Sequence, residues 1–463
     1  MRLPLVLAAP LLVTGLLLAA PAIAADAPAP STDQPLLRVI AADVDPKALE
    51  STIRSLVGFG TRHTLSDTVS ETRGIGAARR WAKGRFETIS KDCGGCLTIA
   101  TPSDVVTGKR VPNPTEVMDV LAIQKGTSDP DRVIIIAGHI DSRVTDVMDF
   151  TSDAPGANDD ASGVAAVLEA ARVLSKHKFP ATLVFAVLSG EEQGLYGGKV
   201  LANYARAQGW KVEADLNNDI VGNSRGQSGV MNNTQVRVFS EGTKAVETPE
   251  QANGRRYNGG EVDSPSRNLA RFLDGLADRY LNAFDVTMVY RTDRYGRGGD
   301  QVPVLEAGYP AVRVTEAAEN YDRQHQDLRT ENGKAYGDVI EGVDFAYLAQ
   351  VTRLNVTAMA ALASAPTPPQ GVKIEGAVSP DTKVSWTATP GAAGHRVWWR
   401  GTTDPTWRFS RWVPTGTSAV LKDVVIDDWF FGVSSVSADG WESPVVFPGP
   451  AGSFESPAPA AAK

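Results

Sequence analysis

The chain has 463 residues, a formal net charge of −8, 42% hydrophobic residues and 22% charged residues. That length exceeds one compact core, so about two or three domains are expected, and the composition is that of an ordinary globular protein. The acidic balance, with no run of Lys and Arg, excludes the basic patch through which a nucleic-acid partner is normally met.

Residues 1–24 read as a signal peptide, with one Arg, an apolar stretch and the small residues Ala22-Ile23-Ala24, which fit an A-x-A cleavage site. An uncleaved anchor is the competing reading, because the apolar stretch is long. No Cys follows it to carry a lipid, and no later segment is apolar enough to span a bilayer. The mature chain is therefore expected to be exported, periplasmic or extracellular, without a stable membrane anchor. Residues 25–45 read as a Pro/Ala-rich leader or linker. Cys93 and Cys96, in "DCGGC", are the only cysteines. In an exported chain they read as a local disulfide. A redox motif would need a thioredoxin-like context, and half a zinc site would need a second thiol pair. The sequence offers neither.

From residue 46 to 363, apolar runs of strand length alternate with helical patterns. "RVIIIAGHID" and "ATLVFAVLSGEE" are continuous apolar runs, as expected of strands buried on both faces. "SGVAAVLEAARVL" and "GLYGGKVLANYARAQ" carry helical spacing. Such alternation predicts an α/β domain with a mostly parallel central sheet flanked by helices. Its ligand site should lie beyond the C-terminal ends of the strands. Residues 364–370 form a Pro-rich linker. Residues 371–449 hold short strands between Gly, Pro and Asp turns, and seven of the nine tryptophans lie between Trp386 and Trp441. This predicts a small all-β sandwich, followed by a disordered tail over 450–463. The sandwich resembles a fibronectin type III domain, with Trp386 at the early-strand core position and "DGWESP" as the closing turn. The tyrosine corner is missing, with Trp429 and Phe430 nearby instead. The aromatics read as packed core or as a polymer-binding surface; "WWR" at Trp398 to Arg400 must send alternate residues to opposite faces.

The five histidines make the chemistry easy to weigh. His139 ends a predicted strand in "AGHIDS", with Asp141 two residues on and able to orient its ring. Asp159 and Asp160 sit together in "PGANDDASG", before a helix. Glu191 and Glu192 follow a buried strand in "LSGEEQG", Asp219 lies in "LNNDIVGNS", and His325 lies in "YDRQHQDLRT". Alone, each has a bland reading: a helix cap for Asp159 or Asp160, first-turn acids for Glu191 and Glu192, a buried hydrogen-bonded His139. Together they place imidazoles and carboxylates where successive strands should end, which points to a metal site. His63 reads as structural, and His177 and His395 as surface residues.

"GHIDS", "PGANDDASG", "SGEEQGLYG", "NNDIVGNS" and "HQDLRT" occur in the order and spacing of the co-catalytic di-zinc aminopeptidases. The chain resembles that aminopeptidase Y and bacterial leucyl aminopeptidase family, peptidase family 28, over roughly residues 46–360, with weaker support from "GFGTRHT" near Arg62 and "DSPSRNLARFL". The resemblance implies two Zn2+ per chain. Asp159 would bridge them, His139 and Asp219 would complete one site, and Glu192 and His325 the other. Glu191 would be the general base toward a water held between the metals, and Asp141 would orient His139. It also implies a cis peptide between Asp159 and Asp160, with Asp160 not a ligand. The expected substrates are peptides with a free N-terminus.

The sequence departs from the family at Gln301, where many relatives carry His. An oxyanion-stabilising Tyr has no secure counterpart, with Tyr295 and Arg297 as candidates. Alternative readings are a carboxypeptidase or dipeptidase on the same scaffold, a glutaminyl cyclase, or a non-catalytic binding protein. The first would need a basic pocket, for which Arg291, Arg294, Arg297 and Arg313 are available.

Overall fold

The computed structural model describes residues 28–455. The expected signal peptide lies outside them. In chain order the helices are α1 (Pro35–Ala42), α2 (Pro46–Val57), α3 (Gly74–Asp92), α4 (Ala161–Leu174), α5 (Glu191–Gly194), α6 (Tyr196–Ala207), α7 (Pro249–Asn258), α8 (Pro265–Tyr280), α9 (Gln301–Glu306) and α10 (Phe345–Ser364). The strands are β1 (Thr98–Ala100), β2 (Ser103–Gly108), β3 (Val111–Met118), β4 (Val120–Gln124), β5 (Asp129–His139), β6 (Ala181–Leu188), β7 (Lys211–Asn218), β8 (Gln235–Phe239), β9 (Asp285–Val289), β10 (Ala311–Glu316), β11 (Arg329–Glu331) and β12 (Lys334–Tyr336).

Eight of these strands form one sheet in the order β1-β4-β6-β5-β7-β10-β8-β9. Its centre, β6-β5-β7-β10, is parallel, and β4 and β8 run antiparallel on either side of it. β5 shows why the strand is apolar throughout. Ile134 and Ile136 point into the larger core, which they share with α2, α4, α8 and α10. Val133, Ile135 and Ala137 point to the opposite core, under α6 and α9. A strand covered on both faces keeps no polar side. The chain leaves β5 through α4 to β6 on one side, then returns through α6 to β7 on the other. That reversal opens a crevice at the carboxyl ends of the strands.

β2 and β3 form a separate hairpin. Gly108 pairs with Val111, which leaves Lys109 and Arg110 as a two-residue tip. Cys93 and Cys96 are joined in a disulfide just after α3.

Two expected boundaries move. Residues 25–45 are not wholly a leader, because Leu37 and Ile40 of α1 are buried in the larger core. The tail does not start at 450. Residues 450–452 form a 3-10 turn, and Phe454 packs against the C-terminal core.

The C-terminal part holds β13 (Lys373–Glu375), β14 (Thr382–Ser385), β15 (Gly394–Gly401), β16 (Phe409–Val413), β17 (Ser418–Leu421) and β18 (Trp429–Val436). They make two antiparallel sheets, β13-β14-β17 and β16-β15-β18, around Trp386, Val397 and Phe431. Trp399 stacks on Phe409, and the Trp398 Nε1–H donates to Ser434 and Glu442. Both tryptophans of "WWR" are thus engaged and half-buried. His395, expected at the surface, is buried with its ring 5.2 Å from that of Trp386.

These sheets are docked against the α/β part. Arg400 forms two hydrogen bonds with Asp263, at 2.8 and 2.9 Å, and Arg271 of α8 reaches the same carboxylate at 2.8 Å. All three side chains are buried. The Trp407 Nε1–H donates to Asn268 on α8. The linker is pinned too: Arg132 donates to the carbonyls of Leu362 and Ala365. Removing one partner of a buried ion pair costs about 3–5 kcal/mol, because the other charge stays buried and unpaired. Asp263→Asn is therefore expected to destabilise the protein by about that amount. Denaturant unfolding followed by tryptophan fluorescence checks it, since most tryptophans report on this region.

Candidate metal centre

Every element that meets the crevice delivers one of its side chains. His139 is the last residue of β5, and Asp141 lies two residues beyond it. Asp159 and Asp160 precede α4, Glu191 and Glu192 open α5 after β6, Asp219 follows β7, and His325 lies in the loop after β10. The turn at "DDASG" is tight. Asp160 is the N-cap of α4 and accepts from the Gly163 N–H at 2.9 Å. It also accepts from the backbone N–H of His139 at 3.0 Å and of Ile220 at 3.2 Å. One carboxylate thereby ties the ends of β5 and β7 to α4. A Cβ on Gly163 would collide with the Asn218 carbonyl and with Asp160 itself. The peptide between Asp159 and Asp160 is cis.

Asp159 is turned so that its two oxygens face different histidines. One lies 3.3 Å from His139 Nε2, the other 2.9 Å from His325 Nε2. Asp219 is 3.8 Å from His139 Nε2, and Glu192 is 2.9 Å from His325 Nε2. Two clusters result, His139–Glu191–Asp219 and Asp159–Glu192–His325, and within each the candidate ligand atoms all lie within 4.8 Å of one another. Glu191 thus reaches the first cluster as well. Its carboxylate accepts no hydrogen bond among the described residues and faces the cleft.

Asp141 supports this arrangement from behind. It lies 3.5 Å from His139 Nδ1, whose ring is also 3.1 Å from the Asp141 carbonyl. Its carboxylate accepts from the Thr64 hydroxyl at 2.9 Å and from the backbone N–H groups of Glu191 and Glu192. Asp219 is set by Arg313, a fully buried guanidinium that also pairs with Asp293. Gln301, where the sequence departs from the family, donates to Asp293 and accepts from Asn217. It acts as a buried brace for that chain of contacts.

The electrostatics favour a cation. Burial opposes charge on His139, yet Asp141, Asp159 and Asp219 push its pKa well above the ordinary histidine value. Burial likewise opposes charge on His325, but Glu192 and Asp159 push it up to about 10. Asp219 is held low by Arg313 and His139 against the effect of burial. Glu191 goes the other way: burial, with the charges of Glu192 and Asp219, pushes it well above the carboxylate range. Among the buried atoms without a hydrogen-bond partner are His139 Nε2 and Glu192 Oε1, one in each cluster, and both are atoms that a metal would take. Imidazole and carboxylate donors without thiolates suit zinc in an open catalytic site, so the residues fit the metal.

Several contacts were not visible in the motifs. Arg143, directly after "GHIDS", donates to Glu192 at 2.8 Å and meets His325 Nδ1 at 2.6 Å. Asp338 accepts from the backbone N–H groups of Asn158 and Asp159, and burial pushes it up to about 7. It sits in "YGDVIEG", which carries no local pattern, far downstream of its partners. Arg62, fully buried, donates to the carbonyls of Ile140 and Gly156 and so joins two of the motif loops. His63 is buried and bonded to backbone, as expected of a structural residue. Tyr295 is a correction: it is 89% exposed, carries Arg291 over its ring and does not line the cleft. Arg297 does line it. Of the four arginines considered for a basic pocket, Arg313 is spent on Asp219 and Asp293, and Arg294 and Arg297 remain at the cleft.

A sheet with a parallel centre, carrying a two-cluster acid–imidazole site at the carboxyl ends of those strands, has the zinc exopeptidase fold. Comparison with known proteins agrees. Residues 119–344 match the family model described as Peptidase family M28. A probable zinc metalloprotease of Leptosphaeria maculans is 42% identical over 91% of this chain and 98% of its own length. Another, of Pyrenophora teres f. teres, is 42% identical over 92% of this chain and 88% of its own length. The chain belongs to peptidase family M28. Among solved structures, the LapA aminopeptidase of Legionella pneumophila superposes with a TM-score of 0.51 at 20% identity, over 71% of this chain and 74% of that one. LapB of the same organism gives 0.51 at 18% identity, over 71% and 75%.

Loss of a carboxylate that orients a metal-binding histidine typically costs about 10–100-fold in metal affinity. Asp141→Ala is expected to weaken zinc binding by about that factor, read by competition with a chromophoric chelator.

Proposed function

We propose that the chain is an exported zinc aminopeptidase that removes N-terminal residues from peptides. The observation that carries this reading is Asp159, which presents one oxygen to each histidine and so sits where a shared ligand of two metals belongs. His139 and Asp219 would hold one zinc with it, and Glu192 and His325 the other. With Asp159 in the shared position, Glu191 is left free as the general base, although it lies within reach of the first cluster.

Zinc in such a site supplies Lewis acidity and a water of lowered pKa. The chain does the rest. Glu191 takes the proton of the attacking water on its carboxylate and returns it to the departing amine nitrogen, as base and then as acid. The adjacent glutamates divide the work: Glu192 is fixed by Arg143 and the Asp141 contact, while Glu191 stays unbonded toward the cleft. Asp141 holds the His139 ring, and Arg313 holds Asp219.

Export rests on the sequence of residues 1–24. Among the described residues no helix is long and apolar enough to cross a membrane. The C-terminal sheets are proposed to be a fibronectin type III-like domain, supported by their strand order and the buried Trp386. Its buried contacts with α8 favour a structural role over carbohydrate capture.

The test is a panel of aminoacyl-p-nitroanilides, free and N-acetylated, with zinc quantified on the same sample. Free substrates should turn over, acetylated ones should not, and zinc should be near two per chain, one for each cluster. Glu191→Ala should keep its zinc and lose about 10²–10⁴-fold in kcat, the usual contribution of a general base. Two bound zincs with no cleavage of any free-amine substrate would sink the aminopeptidase reading in favour of carboxypeptidase or dipeptidase chemistry.

A further inference from the structure

The cleft in front of the two clusters has a volume of about 320 Å3, and four arginines line it: Arg110, Arg143, Arg294 and Arg297. Two of them are already matched. Arg143 is set against Glu192, and Arg294 lies 3.2 Å from Asp293. Arg297 shares Glu319, at 3.6 Å, with Arg294 and Arg237, and donates to the Gln324 side-chain oxygen at 3.4 Å. Arg110 has no carboxylate within ion-pair distance among the described residues. Its one hydrogen bond is to the backbone carbonyl of Glu192, at 2.9 Å.

That bond places Arg110. It stands on the two-residue tip of the β2–β3 hairpin, which lies against α6, with the Tyr196 hydroxyl 3.3 Å from the Thr107 carbonyl. The hairpin therefore brings an exposed guanidinium to the edge of the cleft at a residue of the metal site itself, while the 294–298 loop contributes Arg297. Guanidinium groups bind carboxylates through paired, charge-assisted hydrogen bonds.

We propose that Arg110, with Arg297, receives a carboxylate of the substrate, so that the enzyme prefers peptides presenting one in the cleft. The carboxylate is either an acidic side chain or the C-terminus of a short peptide. Arg110 is then a specificity-determining residue. The inference deepens the peptidase reading and rests on it for the identity of the ligand as a peptide.

Binding separates the two. Zinc-loaded Glu191→Ala protein is titrated calorimetrically with Leu-Leu, Leu-Leu-amide and Glu-Leu-amide, and again with Arg110→Gln or Lys109→Gln added. Lys109→Gln removes an equal charge from the same tip. At least one carboxylate ligand should bind tenfold or more tightly than Leu-Leu-amide, a factor worth about 1.4 kcal/mol. Preference for Leu-Leu assigns the C-terminus, and preference for Glu-Leu-amide assigns the side chain. Arg110→Gln should reduce the ratio to about one, and Lys109→Gln should keep it. Equal binding of acids and amide overturns the proposal. So does a preference that survives Arg110→Gln, which would mean that the carboxylate sits on the metal, or one lost equally in both variants, which would mean general charge attraction. Tight, Arg110-dependent binding by an enzyme that cleaves no free-amine substrate would instead leave this inference standing and overturn the aminopeptidase reading.

Discussion

The structure depends on holding many carboxylates together in one buried place. Like charges in a medium of low dielectric constant cannot all stay ionised without compensation. The crevice meets this by giving most of its acids a compensating partner. Asp159 and Asp219 face the histidines, and Asp219 also has Arg313. Glu192 has Arg143. Asp141 has backbone N–H groups and a hydroxyl. Deeper acids are less well compensated: burial raises Asp119, despite its hydrogen bond from the Ser189 N–H, and Asp215 well above the usual range, and the charge of Asp300 adds to both. Asp159 and Asp219, which face the cleft and have cationic partners, are thus held low against burial, which favours binding a metal.

The fold provides that placement at little extra cost, since parallel strands all end at the same edge. β5, β6, β7 and β10 are neighbours, and the loop that follows each contributes to the site. Precision comes from backbone hydrogen bonds made by side chains that never meet substrate. Asp160 ties β5 and β7 to α4, Asp338 holds the backbone at Asp159, and Arg62 ties the start of the β5–α4 connection to its end. The second aspartate of the pair is therefore part of the frame that positions the first.

Much of this was legible because it is local. The apolar runs of β5 and β6, the helical spacing of α4 and α6, and the placing of His139, Asp159, Glu192, Asp219 and His325 after predicted elements all follow from short-range pattern. The supports were not legible where they cross the chain. Asp338 lies 179 residues from the N–H it accepts at Asp159. Asp263 looks like an ordinary loop acid, yet it anchors Arg400 of the C-terminal sheets, 137 residues away. α1 was read as leader because the Pro/Ala-rich stretch before it hides Leu37, Ile40 and Ala41, which the helix buries.

The sequence by itself determined the alternation of elements, the residue types of the site and their order, because strand and helix periodicity and motif spacing are written in adjacent residues. Only the tertiary structure decided which oxygen of Asp159 faces which histidine, which arginines are neutralised and which one is left free at the cleft. Those outcomes depend on distances between segments far apart in the chain, and a buried charge takes its meaning from whatever the fold places beside it.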